Sequence, residues 1–237
     1  MKANLGCGLA YMEGWVNVDQ MRLVRADVYA SLEDFIAEHG AEIEEAYMGH
    51  VLEHMLPGDG FSVLRRLVDH CRPRTVVSAV VPDMSAIHDA YRSGEIDNWT
   101  YNFRYVHSYE QPSHHRWSYD GGALEELFTA AGFERVRLVD PLTWPPVWWK
   151  EGPESRWQCG VCGVVPERPA AVAEDERWAS LTTERLEEMD RPGLESRREP
   201  EPEPEPEPES EPEPEPPPAD PEPRGLAGVL RRLSRRR

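Results

Sequence analysis

Residues 75–81 read Thr-Val-Val-Ser-Ala-Val-Val, apolar and β-branched almost throughout, and predict a central strand buried on both faces of a parallel sheet. Shorter apolar runs predict strands at Lys2–Leu5, 15–19 and 26–29. Residues 43–48 predict a weaker fourth strand, because Glu44 and Glu45 interrupt it. Between strands the period changes from two to between three and four. Leu32, Phe35 and Ile36 predict a helix over 32–40; Phe61, Leu64, Leu67 and Val68 predict one over 61–71, entered through a Pro57-Gly58-Asp59-Gly60 turn. Leu124, Leu127 and Phe128 predict a third, closed by Gly132 as C-cap. Residues 135–139 and 157–165 then predict a strand hairpin, and 174–190 one amphipathic helix carrying Trp178, Leu181, Leu186 and Met189. Strands alternating with helices predict an α/β sheet.

The pattern stops beyond residue 198. Residues 199–216 are a Glu-Pro repeat broken once, at Ser210. Proline removes backbone donors and neighbouring carboxylates repel, so 199–223 is expected to be a disordered, polyproline-type linker with a rise of ~3.1 Å per residue. Residues 224–237 hold six arginines, with Leu226, Val229, Leu230 and Leu233 at helical spacing. This basic amphipathic tail suits an anionic surface or an acidic partner. The expected division is a domain over 1–168, a helical extension over 169–198, the linker and the tail.

Charge narrows the class of partner. The chain has 237 residues and a net charge of -18; removing the eleven acids of the linker and the six arginines of the tail leaves the first 198 residues at -13. Such a body repels a phosphate backbone, which argues for a small-molecule acceptor over nucleic acid. Four cysteines are scattered, and no apolar run nears the ~18 residues of a membrane span. The expectation is a soluble, cytoplasmic protein. The Cys159-Gly-Val-Cys162 pair is read as strand filling, since a zinc ribbon needs a second pair.

The first strand runs into Gly6-Cys7-Gly8, and the second ends in Asp19, which is how open α/β sheets build a nucleotide site at strand ends. A dinucleotide fingerprint would need a third glycine where Tyr11 stands and an acid about 20 residues on. Residues 9–14 also leave no room for a helix to hold a pyrophosphate. The ligand expected is one with a ribose and no diphosphate, which suits S-adenosylmethionine.

The blocks Asn4-Leu5-Gly6-Cys7-Gly8, Gly14-Trp15-Val16-Asn17-Val18-Asp19, Ala26-Asp27-Val28, His50-Val51-Leu52-Glu53-His54, Val81-Pro82-Asp83 and Ala131-Gly132-Phe133 occur in one order and spacing. In these the chain resembles class I S-adenosylmethionine-dependent methyltransferases, in their compact bacterial branch, over residues 1–168. The resemblance implies a Rossmann-like, seven-stranded, mostly parallel sheet with strand seven antiparallel and helices on both faces. It implies cofactor contacts from Asn4, Gly6, Cys7, Gly8, Asp19, Leu32 and His50. There are departures. No helix precedes the first strand, which implies a more open cofactor pocket. Ser31 replaces the usual Asp and leaves Leu32 to pack the adenine, and Arg72-Pro73-Arg74 lacks the usual glycine pair.

His50, Glu53 and His54 are spaced to share one helical face. The favoured reading has no metal and lets Glu53 and His54 cap that helix and brace the cofactor loop. One functional reading makes His50 a base; another, by likeness to methyltransferases with a Glu-x-x-Glu-His arrangement, makes His50, Glu53 and His54 a divalent-metal site. Residues 93–118 are dense in aromatics and imidazoles and are expected to form an acceptor lid through Trp99, Tyr105, His107, Tyr109 and Trp117, with His114 and His115 as further candidate bases. The implied reaction is methyl transfer to an oxygen or nitrogen of a sugar, glycan precursor or secondary metabolite. The rivals are a non-catalytic S-adenosylmethionine-binding subunit and a scaffold acting through its Arg-rich tail.

Overall fold

The computed structural model describes residues 1–108, 114–143, 156–167 and 176–187. Tyr109, the Glu-Pro linker and the basic tail lie outside the described residues. The chain divides into two units, Met1–Ser196 and Arg197–Arg237, and among the described residues every strand belongs to the first.

Seven strands form one sheet: β1 (Lys2–Leu5), β2 (Val16–Asp19), β3 (Val28–Tyr29), β4 (Glu45–Gly49), β5 (Val76–Pro82), β6 (Glu134–Val139) and β7 (Gln158–Val164), in the order β3-β2-β1-β4-β5-β7-β6. The first five run parallel and β7 is antiparallel to both neighbours. This is the Rossmann-like α/β sheet that the resemblance implied. β4, weak by pattern, is completed across the sheet. Glu45 lies opposite Lys2 in register and pairs with its ammonium at 2.7 Å, while Ala46, Tyr47 and Met48 are buried.

The alternation of β4 and β5 sorts their side chains onto two faces. Ala46, Met48, Val77, Ala79 and Val81 pack under α1 (Leu32–His39), α2 (Pro57–His70) and α5 (Gly121–Ala130), through Phe35, Ile36, Leu64, Leu67, Leu124 and Phe128. Tyr47 and Val80 pack instead against Met12, Ala10 and Trp15 of the β1–β2 connection. That connection carries no helix, in keeping with its length. Beyond the carboxyl end of β5, α3 (Met84–Arg92), α4 (Asn98–Thr100) and a π-helical turn (Tyr101–Val106) enclose their own cluster of Ile87, Ala90, Ile96, Tyr105 and Trp157.

Two local expectations are corrected. α2 begins at Pro57, not after Gly60. Proline is favoured in the first turn, and Gly58 leaves room for a neighbour: a Cβ there would lie 2.6 Å from Thr182 Cγ2 and 2.7 Å from the Leu181 oxygen. The segment over 174–190 is not one helix. α6 (Glu176–Ala179) ends, and a second turn starts at residue 183, where the Thr182 hydroxyl accepts the Arg185 N–H at 3.1 Å. Threonine competes for backbone donors and favours such a cap over continuation. The turn before β5, lacking its glycines, is made by Arg74 in the left-handed region at φ 72°, its N–H bonded to the Val165 oxygen at 2.8 Å.

Candidate functional site

The strand order reverses between β1 and β4, and such a reversal opens a crevice at the carboxyl ends of the two strands. The two loops that leave there touch directly. Gly6 takes φ 70°, and a Cβ on it would sit 2.7 Å from Val51 Cγ2, so glycine is required both for the turn and for the contact. Gly8 takes φ 48°, and a Cβ there would meet open space.

Asp19 is 7 % exposed and holds this turn: its Oδ2 accepts the Gly8 N–H and its Oδ1 the Met21 N–H, each at 2.8 Å. Each oxygen retains a second lone pair for a ligand hydroxyl. Cys7 lies behind the turn with its thiol on the Arg25 carbonyl at 3.6 Å. Burial, with Asp19 and Asp27, pushes it up to about 11, so at neutral pH it is an uncharged thiol.

Asn4 is placed differently from expectation. It is buried, and its amide donates to the Ala10 oxygen at 2.8 Å and Asn17 Oδ1 at 2.9 Å, so it braces the loop from below. The pattern missed the rest of that brace. Asn17, fully buried, bonds Met12 N–H, Met12 O, Trp15 O and Asp27. The Asn17 N–H and amide and the Tyr11 hydroxyl hold the Asp27 carboxyl below the ordinary range. A polar residue between two valines of a buried strand was the available signal. Leu32 is buried in the main core cluster, and Ser31 caps α1 by accepting the Asp34 N–H at 3.1 Å.

At the end of β4 the expected helical face is absent. His50 takes φ 56° and its N–H bonds the Val80 oxygen at 2.8 Å, extending the ladder. Leu52–His54 forms only a 3₁₀ turn, without a side-chain cap. Glu53 turns inward, 2 % exposed, and its Oε1 is 2.8 Å from His50 Nδ1. A carboxylate there makes Nδ1 the donor and Nε2 the basic nitrogen of His50. Burial pushes the Glu53 carboxyl up, but the charge and hydrogen bond of His50, with His54 and His115, outweigh burial and hold it below the ordinary range. Its carbonyl accepts the N–H groups of Arg116 and Trp117 at 2.7 and 3.2 Å, tying residues 116 and 117 to this loop.

The residues expected to form a lid separate. Tyr105 is buried edge-on against Trp157. Trp99 is 70 % exposed and stacks on Phe103. His107 is exposed, Trp117 is 38 % exposed beside Glu53, and His114 is exposed with its carbonyl 3.2 Å from His54 Nδ1. His115 enters the site. Its ring lies 5.0 Å from that of His54, its Nδ1 is 2.8 Å from the Tyr105 oxygen, and burial pushes it below the ordinary imidazole range. The Tyr47 and Tyr119 hydroxyls and Glu53 Oε2 are buried without hydrogen-bond partners among the described residues. Burial, with the charge of Glu53, pushes both phenols up. Cys159 and Cys162 lie three apart in β7, where strand alternation sends them to opposite faces.

No protein-family model matches the chain, and no curated protein sequence matches it. Solved structures do. A SAM-dependent methyltransferase from Archaeoglobus fulgidus aligns with TM-score 0.46 at 11% identity, over 69% of this chain and 85% of that one. A SAM-dependent methyltransferase from Thermotoga maritima aligns with TM-score 0.43 at 13% identity, over 69% and 81%. The S-adenosylmethionine-dependent methyltransferase SibL aligns with TM-score 0.44 at 17% identity, over 70% of this chain and half (50%) of that longer one.

Proposed function

We propose that the chain is an S-adenosylmethionine-dependent methyltransferase acting on an oxygen or nitrogen of a small acceptor. The observation that carries this reading is the geometry at the strand reversal: a glycine turn clamped to Asp19, open above Gly8, with no helix to hold a diphosphate. In this reading adenosine lies over the Gly6–Gly8 turn and its ribose hydroxyls donate to Asp19. The methyl-bearing sulfonium then sits near His50, at the exits of β4 and β5.

Catalysis is mainly positioning, since holding donor and acceptor in line removes most of the entropic barrier. His50, oriented by Glu53, takes the acceptor's proton where the acceptor must lose one. Exposed Trp99 and Trp117 offer planar surfaces to the acceptor, and a sugar, glycan precursor or secondary metabolite fits that surface.

Calorimetry tests the reading. Wild type is expected to bind S-adenosylmethionine and not NAD, and Asp19→Ala to lose at least ~10-fold in affinity through two lost charge-assisted hydrogen bonds. Release of S-adenosylhomocysteine over a panel of hydroxyl and amine acceptors then reads turnover. Absent binding, or equal binding by the Asp19 variant, overturns the proposal.

A further inference from the structure

We infer that Glu53, His54 and His115 form a binding site for one divalent first-row transition-metal ion, which ties the lid to the exit of β4. The set differs from the three residues that sequence spacing suggested. His50 stands behind Glu53, and His115 arrives from a segment sixty residues away.

The first support is convergence. One ligand atom from each of the three residues lies within 4.8 Å of the other two. Small side-chain rotations bring such atoms onto a tetrahedron with bonds of about 2.0–2.2 Å. The second is the state of Glu53: it is 2 % exposed, and its Oε2 has no hydrogen-bond partner among the described residues. Burying an unmatched carboxylate oxygen is costly, and a cation supplies the missing partner.

The third support is the outer shell. Histidines that bind metals characteristically donate the other ring nitrogen to a carbonyl or carboxylate. His54 Nδ1 faces the His114 oxygen at 3.2 Å, and His115 Nδ1 faces the Tyr105 oxygen at 2.8 Å. With Nδ1 donating, Nε2 of each ring carries the lone pair. Glu53 Oε1 is engaged by His50 at 2.8 Å, which leaves Oε2 as the ligand. All three candidate ligands are oriented by second partners, an arrangement that packing alone does not require.

Two imidazoles and one carboxylate favour Zn²⁺, Fe²⁺ or Co²⁺ over the hard ions Mg²⁺ and Ca²⁺. Three protein ligands leave a fourth position for water or an acceptor oxygen. That last role rests on the methyl-transfer reading; the site itself does not.

The test uses tag-free, full-length protein, stripped with chelator and titrated with Co²⁺ and then Zn²⁺. One equivalent of Co²⁺ is expected to give visible absorption of a low-coordinate nitrogen and oxygen site, without a thiolate charge-transfer band, and Zn²⁺ is expected to displace it. His115→Ala and His54→Ala should each weaken Co²⁺ at least ~10-fold, whereas His88→Ala on α3 should not. Melting temperature is followed in parallel: the ion should raise that of wild type and His88→Ala but not that of His54→Ala, which decides the matter if His115→Ala fails to fold. No stoichiometric ion in wild type, unchanged binding in both histidine variants, or a thiolate band overturns the inference. S-adenosylmethionine calorimetry on the same samples separates the outcomes. Cofactor without metal defeats this site alone, and metal without cofactor defeats the methyltransferase reading alone.

Discussion

Two residues around the Gly6–Gly8 turn show how narrow the choice is at single positions. Gly6→Ala forces an L-residue into φ 70° and drives its Cβ to 2.7 Å from Val51. The backbone penalty alone is about 1–3 kcal/mol, and Val51 cannot yield easily because it is buried in the core cluster. The variant is expected to unfold at lower urea and to lose S-adenosylmethionine binding. Intact affinity at wild-type stability would show that the turn relaxes. Asp27 makes a pH-dependent contribution. Its folded carboxyl lies below the ordinary value because Asn17 and Tyr11 donate to its ionised form. A depressed carboxyl adds stability that is complete above the unfolded value of about 3.9 and is lost as pH falls through the folded one. Asp27→Asn should therefore be less stable than wild type at pH 7, and the gap should narrow as pH falls below about 4. Urea midpoints measured from pH 2 to 7 check this, and a gap independent of pH would refute it. The group is exposed, so solvent screening keeps the effect small.

At the scale of elements, the residues 176–187 strap is held to the domain by contacts that its own amphipathic pattern does not announce. Trp178 is buried in the main core. Thr183 N–H and hydroxyl bond Asp59, Gly58 N–H bonds the Leu181 oxygen at 2.9 Å, and Arg116 beside Glu53 reaches the Thr183 hydroxyl at 2.8 Å. Gly58→Ala sets two effects against each other. Alanine gains up to ~1 kcal/mol of helix propensity in α2. Its Cβ, however, would meet the Leu181 oxygen at 2.7 Å, and displacing the strap exposes Trp178 at a cost of about 2–3 kcal/mol. Net destabilisation is expected, with a red-shifted tryptophan emission that is absent in a Trp178→Phe background; a raised melting temperature would show that propensity wins. Much at this scale was legible beforehand, because the valine run of β5, the apolar stripes of α1 and α5 and the Gly-x-Gly turn are local signals. What escaped depended on distant partners. Nothing near residue 57 says that Leu181 will lie against Gly58, and nothing near residue 53 says that His115 will arrive there. The left-handed φ of His50 also broke a helical face that spacing alone supported.

Over the whole molecule, the question is how much of the chain the folded body needs. Among the described residues, every member of the main core cluster, from Ala3 to Trp178, lies within Met1–Ser196, as do all seven strands. The remaining residues, 197–237, carry the Glu-Pro repeat and eight arginines, and contain few large apolar groups to contribute to a core. A chain ending at residue 196 should therefore melt within a degree or two of the full protein, since each lost kcal/mol would shift the midpoint by about 2–4 °C at this size. It should also bind S-adenosylmethionine with unchanged affinity. What the truncation should change is charge-dependent association. The arginines are the densest positive charge in a strongly acidic chain, and attraction of ~1 kcal/mol per basic residue near an anionic bilayer is within their reach. Co-sedimentation with vesicles containing phosphatidylserine, at low and at physiological salt, separates the alternatives. If the full protein sediments and the truncated one does not while both bind cofactor alike, the tail is an anchor for an autonomous folded body. Loss of cofactor binding or of several degrees of melting temperature on truncation would instead make the tail part of the working fold.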